Sequence, residues 1–179
     1  MLTSEPIVAS AEALVAVKDH LRVEHGDADA TLASLIAAAI ASCEVFTGEV
    51  QVERGFTETL DAGTGWAALS AVPVVAITSV AGTGQDQGGA LALGGFEIDI
   101  ASDGTGRVRL TSAAPARLTI GHRAGRASGW GGVREPVRHG ILRYAAQLYA
   151  ARDASGDDVP LPTRSVRALW QGARRMRLA

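Results

Sequence analysis

The chain has 179 residues, 47% of them hydrophobic and 20% charged, which suits one folded domain or one domain with a small insertion and excludes wholesale disorder. Seventeen basic against nineteen acidic residues give a formal charge of −2, which excludes a globally basic nucleic-acid wrapper. Cys43 is the only cysteine, so an intrachain disulfide and a cysteine-based zinc cage are excluded as well. The longest apolar run, about residues 32–41, is too short to span a bilayer, and Glu5 and Pro6 stand where a signal peptide has its basic and apolar regions. The expectation is a soluble, intracellularly made protein with no membrane partner.

Ser10 is placed to cap a first helix, with Glu12 in its first turn and Leu14, Val17 and Leu21 on one face, over about residues 11–23. Asp27 or Asp29 then caps a second helix, whose apolar stripe is Leu32, Leu35, Ile36, Ala39, Ile40, Cys43 and Phe46 and whose stop is Gly48. From Val50 to Arg123 the period becomes two. Val50/Val52, Phe96/Ile98/Ile100, Val108/Leu110 and Leu118/Ile120 alternate with polar residues, as half-buried strands do. Asp103-Gly104-Thr105-Gly106 reads as a hairpin turn, and Pro73 as a strand start or edge. Long loops are expected at 82–95 and 124–133, the second including a flexible connection from Gly125 to Gly132. Pro136 opens a third helix with Val137, Ile141, Tyr144, Ala145 and Leu148 on its buried face. Pro160 and Pro162 keep the following linker extended. Thr163 caps a last helix, with Val166, Leu169, Trp170, Ala173 and Met176 on one side.

Little catalytic chemistry is legible. His20, His25, His122 and His139 show no metal-ligand spacing, so surface or capping roles are the better reading and no metal or other cofactor is expected. Cys43 lies on an apolar stripe and reads as a small core residue rather than a nucleophile. The glycine loops match no phosphate-binding pattern, and no nucleophile elbow is present. One local asymmetry stands out. Residues 163–179 carry five arginines and no acid, just after Asp153, Asp157 and Asp158. This segment is a solvated helix face, a helix docked on its own chain, or an arm that reaches another subunit.

Five stretches stand out in order along almost the whole chain. They are Val17-Lys18-Asp19-His20-Leu21-Arg22-Val23-Glu24-His25 with Asp27 and Asp29, and Cys43-Glu44-Val45-Phe46-Thr47-Gly48. Leu118 to Gly125, Val133 to Asp153, and Val166 to Arg175 complete the set, and together the five resemble the phage head–tail connector family, the adaptor or head-completion proteins of long-tailed phages. His122 stands where the family often has an aromatic, and Trp170 replaces a leucine. The Ala-, Arg- and Gly-rich composition fits a prophage or a gene transfer agent from a GC-rich host.

The resemblance implies an α+β fold: a bundle of about four helices with an inserted small antiparallel β-sheet region and a C-terminal helical arm. Residues 1–48 are then the N-terminal helical part, 49–133 the β region, 134–153 the helix completing the bundle, and 154–179 the linker and arm. It also implies a structural, non-enzymatic role at the head–tail interface of a virion or virion-like particle, in a chain made in the bacterial cytoplasm. Implied partners are other copies of the chain in a ring of about twelve, a portal protein, and a stopper or tail-terminator protein. DNA passes through the channel without sequence recognition. The implied portal-docking residues are Arg164, Val166, Arg167, Leu169, Trp170, Arg174, Arg175, Met176 and Arg177. The implied tail-side loop is Gly82, Gly84, Gln85, Asp86, Gln87, Gly88 and Gly89. The alternative, from the charge pattern alone, is a DNA-binding module that uses the C-terminal arginines.

Overall fold

A computed structural model describes residues 1–61, 64–83, 89–90, 95–111, 117–152 and 160–175. The chain divides into two compact units: Met1–Pro6 with Val52–Arg126, and Ile7–Gln51 with Ala127–Ala179. The first unit is built of antiparallel strands, the second of helices.

The strands of the first unit are β1 (Leu2–Ser4), β2 (Arg54–Asp61), β3 (Ala67–Ala68), β4 (Val74–Thr83), β5 (Gly89–Ala90), β6 (Phe96–Ile100), β7 (Gly106–Leu110) and β8 (Arg117–Ala124). They form a five-stranded sheet in the order β1-β2-β8-β4-β5 and a three-stranded sheet in the order β3-β7-β6. β8 is the spine of the larger sheet. It pairs with β2 from Arg54↔Ala124 to Asp61↔Arg117 and, on its other edge, with β4 through two register shifts. Leu69, Val74, Val80, Val108, Leu110, Leu118 and Ile120 make one core cluster drawn from both sheets. The alternation at Val108/Leu110 and Leu118/Ile120 thus marks true inward-facing rows.

Several expectations need correction here. The first six residues, grouped with the helices in sequence, carry a strand of this sheet. Val50 and Val52 do not open a strand, since regular pairing starts at Arg54. Phe96–Ile100 is a strand as predicted, but Ile98 and Ile100 are 48% and 41% exposed, β6 being an edge of the three-stranded sheet. The loop at 82–95 is not continuous loop: Gly82 lies in β4 and Gly89 in β5, and the two pair directly. Pro73 does stand just before β4, and the Asp103–Gly106 segment is the β6–β7 turn, with Gly104 at φ +80°. A side chain there is doubly excluded, since a Cβ on Gly104 would lie 2.3 Å from Pro73 Cβ.

The helices of the second unit are α1 (Ala11–Leu21), α2 (Asp29–Thr47), α3 (Glu135–Ala151) and α4 (Arg164–Gln171), with a single 3₁₀ turn at Trp130–Gly132. Ser10 caps α1, its side chain accepting from the Ala13 amide. Neither aspartate caps α2. Ala28 occupies that position, and Asp29 instead accepts from Lys18 Nζ at 2.7 Å, tying α2 to α1. α2 runs 19 residues and, contrary to the sequence expectation, is long and apolar enough to cross a membrane by length and composition. Its inner side chains Leu32, Ile36, Ala39, Ile40 and Cys43 are nevertheless buried in the helical unit.

The end of α2 shows why Val50 does not begin a strand. Gly48 takes the left-handed conformation, φ +72°, and its amide donates to Glu44 O. Thr47 Oγ1 donates to Cys43 O at 2.8 Å and accepts from Gln51 Nε2 at 3.0 Å, while the Gln51 amide donates to Glu44 Oε1 at 2.9 Å. Carbonyls left over at a helix end need partners. Here a buried polar turn supplies them, at the expense of strand pairing. The stretch from Gly125 to Gly132 is likewise not a flexible connection, for Ala127 and Trp130 are buried and the Ala127 amide donates to Gln51 O.

Candidate docking surface

α4 carries most of the residues singled out from sequence. Thr163 caps it, with Oγ1 accepting from the Val166 amide at 3.4 Å. Val166, Trp170 and Ala173 face inward, at 1%, 0% and 6% exposure. Trp170 is held on three sides: Nε1 donates to Val137 O, and the ring meets Tyr144 edge-on at 6.0 Å and Phe46 at 5.9 Å. The linker is strapped down too, as Tyr144 Oη donates to Pro160 O and Gln147 Nε2 to Leu161 O, both at 2.9 Å.

This overturns one part of the arm reading. The apolar face of α4 belongs to the chain's own helical core, and Pro160 and Pro162 do not hold the linker away from α3. The physical reason lies on α3. Gly140 leaves the space that the indole fills, since a Cβ at that position would sit 2.4 Å from Trp170 Nε1. The outer side of α4 and of the turn that follows it is basic instead. Arg164, Arg167 and Arg174 are exposed, and none of them forms an ion pair among the described residues. Arg174 lies 5.9 Å over the Phe46 ring. Leu169 and Arg175 are half-buried, the Arg175 amide donating to Thr47 O. Met176 and Arg177 fall outside the described residues, as do Gly84, Gln85, Asp86, Gln87 and Gly88 of the loop.

Sequence reasoning missed a cleft of about 350 Å³ on the larger sheet. Thr3, Thr57, Thr78 and Ser79 line it with hydroxyls around Gly121, where a Cβ would meet Ser79 Oγ at 2.5 Å. Its charged residues are already engaged. Glu5 accepts from the Gly55 amide at 2.7 Å, and Arg123 pairs with Glu53 at 2.7 Å, which raises the Arg123 pKa. Gly121, the residue after Ile120, was the one sequence signal for this cleft; β1, which forms one wall, gave none.

The remaining titratable groups do not converge. His20 and His139 meet edge-to-face at 6.3 Å, and His25 lies 3.8 Å from Asp27 on the surface. No group of three or more His, Cys, Asp or Glu side chains among the described residues is arranged to hold a metal ion. Burial, with Glu44 next to it, pushes the Cys43 thiol far up, so it stays protonated. His122 is 1% exposed and stacks on Phe56 at 5.6 Å. Burial pushes its pKa down, opposed by the Glu58 carboxylate and the Ile120 carbonyl.

A helical unit interrupted by an antiparallel-sheet unit, with a short basic helix near the C-terminus, is a fold found in chains of gene transfer agent particles. Solved structures that carry this likeness include three. One is a chain from the neck of an empty gene transfer agent particle computed with C6 symmetry, with TM-score 0.76 and 24% identity over 100% of this chain and 97% of that one. A chain of the virion of a native gene transfer agent particle matches with TM-score 0.72 and 26% identity over the same shares. A third, from the neck of a native particle computed with C12 symmetry, matches with TM-score 0.73 and 24% identity over 99% and 97%. Neither a protein-family model nor a curated protein sequence matches the chain.

Proposed function

We propose that the protein is a structural head–tail adaptor, a non-catalytic subunit of a ring in the neck of a phage-like or gene transfer agent particle. The observation that carries this reading is the end-to-end likeness: at least 97% of this chain and of each neck or virion chain superpose, both units included. Two of those assemblies have cyclic symmetry, which supports a ring of copies related by one repeated heterologous contact. In this reading the ring sits below the portal, extends the DNA channel and joins the capsid vertex to a stopper or tail terminator.

The exposed arginines of α4 then dock on portal carboxylates, where charge-assisted, bidentate contacts fix orientation. Val166 and Trp170 serve that surface from behind by anchoring the helix. The β4–β5 hairpin is the sheet unit's contribution to the tail side. The test is to delete the gene from a strain that makes the particles and image what is released. Filled heads without tails, restored by the gene supplied in trans, are the expected result, and normally tailed particles would overturn the proposal.

A second reading is favoured by the same unpaired arginines: α4 as a DNA-binding surface. Duplex binding through several phosphates weakens steeply with salt. Binding of the purified protein to mixed-sequence duplex at 50 and 200 mM salt separates the two readings.

A further inference from the structure

Four strands of the larger sheet line up at one rung. Thr3 pairs with Thr57, Thr57 with Gly121 and Gly121 with Ser79, so a row of hydroxyls crosses β1, β2 and β4 with a glycine gap at β8. Three strand spacings make the row about 14 Å long. A register shift between Ile77 and Ser79 adds Thr78 to it. Neighbouring residues of a regular strand face opposite ways. Here Thr78 Oγ1 and Ser79 Oγ lie 3.0 and 2.5 Å from the single point that a Cβ on Gly121 would occupy. A bulge that re-aims a side chain and a glycine inside a central strand both mark a place of close approach.

These residues line the cleft of about 350 Å³, a size within the roughly 300–1,000 Å³ of small-molecule sites. Thr3 Oγ1 donates to Thr57 O at 3.3 Å, whereas the hydroxyls of Thr57, Thr78 and Ser79 have no hydrogen-bond partner among the described residues. Each of them can donate and accept. The charges at the mouth are matched within the chain: Glu5 accepts from the Gly55 amide, and Arg123 Nε donates to Glu53, both at 2.7 Å. An anion entering here meets Glu5 and Glu53, and a cation meets Arg123. We propose that the cleft binds a neutral saccharide of about one or two rings, whose hydroxyls donate and accept as those of the cleft do.

Other occupants fit less well. An apolar ligand would bury the free hydroxyls without partners. An extended peptide joins a sheet along an open edge, whereas Gly121 lies on β8, both of whose edges are taken by β2 and β4. The site goes beyond the neck reading and does not depend on it.

The experiment titrates the isotope-labelled full chain with maltose, cellobiose and N,N′-diacetylchitobiose, following amide resonances. Inorganic phosphate, lysine and a capped alanine dipeptide are the charged and peptide controls. At least one disaccharide is expected to shift the Thr57, Ser79 and Gly121 amides saturably, with a dissociation constant of about 1–10 mM, and the controls are expected to leave them in place. Maltoheptaose beside maltose separates the sources of this chemistry: binding of both supports the end of a longer glycan, binding of maltose alone a free sugar. Thr57→Val and Ser79→Ala each remove one exposed hydroxyl and are each expected to weaken binding about fivefold, the worth of one hydrogen bond. Thr59→Val, on β2 outside the cleft, is expected to leave binding unchanged. No saturable shift with any saccharide, a stronger response to a control, or Thr57→Val and Ser79→Ala chains that bind like the parent overturns the proposal. The particle test reports on tails whether or not the cleft is filled, so either reading can fail alone.

Discussion

Trp170 Nε1 donates to Val137 O at 3.3 Å, a hydrogen bond that joins α4 to the first turn of α3 across 33 residues of sequence. The indole has no exposed surface, so this bond and the ring's packing together make α4 part of the helical core.

Trp170→Ala is therefore expected to destabilise the helical unit by about 3–5 kcal/mol, the usual cost of emptying a buried aromatic site. Deletion of residues 163–179 is expected to lower the melting temperature as well, because it bares Phe46, Tyr144 and the Gly140 groove. Chemical denaturation of the parent and both variants checks this. An unchanged midpoint for the deletion would restore the picture of a free arm.

Gly104 supports a second stability prediction. Gly104→Ala places a Cβ against Pro73 in a left-handed backbone position and is expected to cost about 1–3 kcal/mol. Thr105→Ala, one residue on, tests the local Asp103 contacts without that clash, and is expected to cost about 1 kcal/mol or less. Urea titration of the two variants side by side reads the difference.

His122 gives the sheet unit a pH dependence of known sign. Its pKa is lowered in the folded chain, so the unfolded chain binds the proton first as pH falls below the ordinary value of 6.5. The stability contributed by the neutral, stacked ring is present above that pH and is lost as pH falls from 6.5 through the depressed folded value. His122→Phe keeps a ring against Phe56 and removes the proton. The variant is expected to show a shallower loss of denaturation midpoint between pH 7.5 and 5.5 than the parent.

The basic face of α4 can be altered without touching the core. Arg164→Glu/Arg167→Glu/Arg174→Glu is expected to leave the melting temperature within a few degrees, since exposed charges contribute about 1 kcal/mol or less each. Portal pull-down is expected to fall at least tenfold, and single reversals are expected to weaken binding in a salt-sensitive way.

Periodicity carried most of the architecture. The stripes Leu32–Cys43 and Val137–Leu148 and the rows Val108/Leu110 and Leu118/Ile120 are buried as their spacing predicts, because one side of each element has to meet a core. The same logic failed at Val50/Val52, where a helix end needed hydrogen-bond partners more than it needed a strand, and at Ile98/Ile100, where alternation does not tell an edge strand from a central one. Helix α4 was legible as a capped, amphipathic, arginine-rich segment. What it packs on was not, because the space for Trp170 is made by a glycine on another helix. The hydroxyl-lined cleft needs β1, a three-residue strand with no burial pattern of its own.

The sheet unit enters and leaves the helical unit through neighbouring strands. Arg54 and Ala124 are paired partners, and a step outside them the Ala127 amide donates to Gln51 O, so the two ends of the insertion lie side by side. An excursion whose ends already touch is interchangeable: a different sheet of any length can be spliced between 51 and 127 with little strain on the helices. Only β1 resists such an exchange, since it threads the chain's beginning back onto β2 and has to be traded together with the insert. Such a chain can thus keep its helical unit while its sheet is replaced.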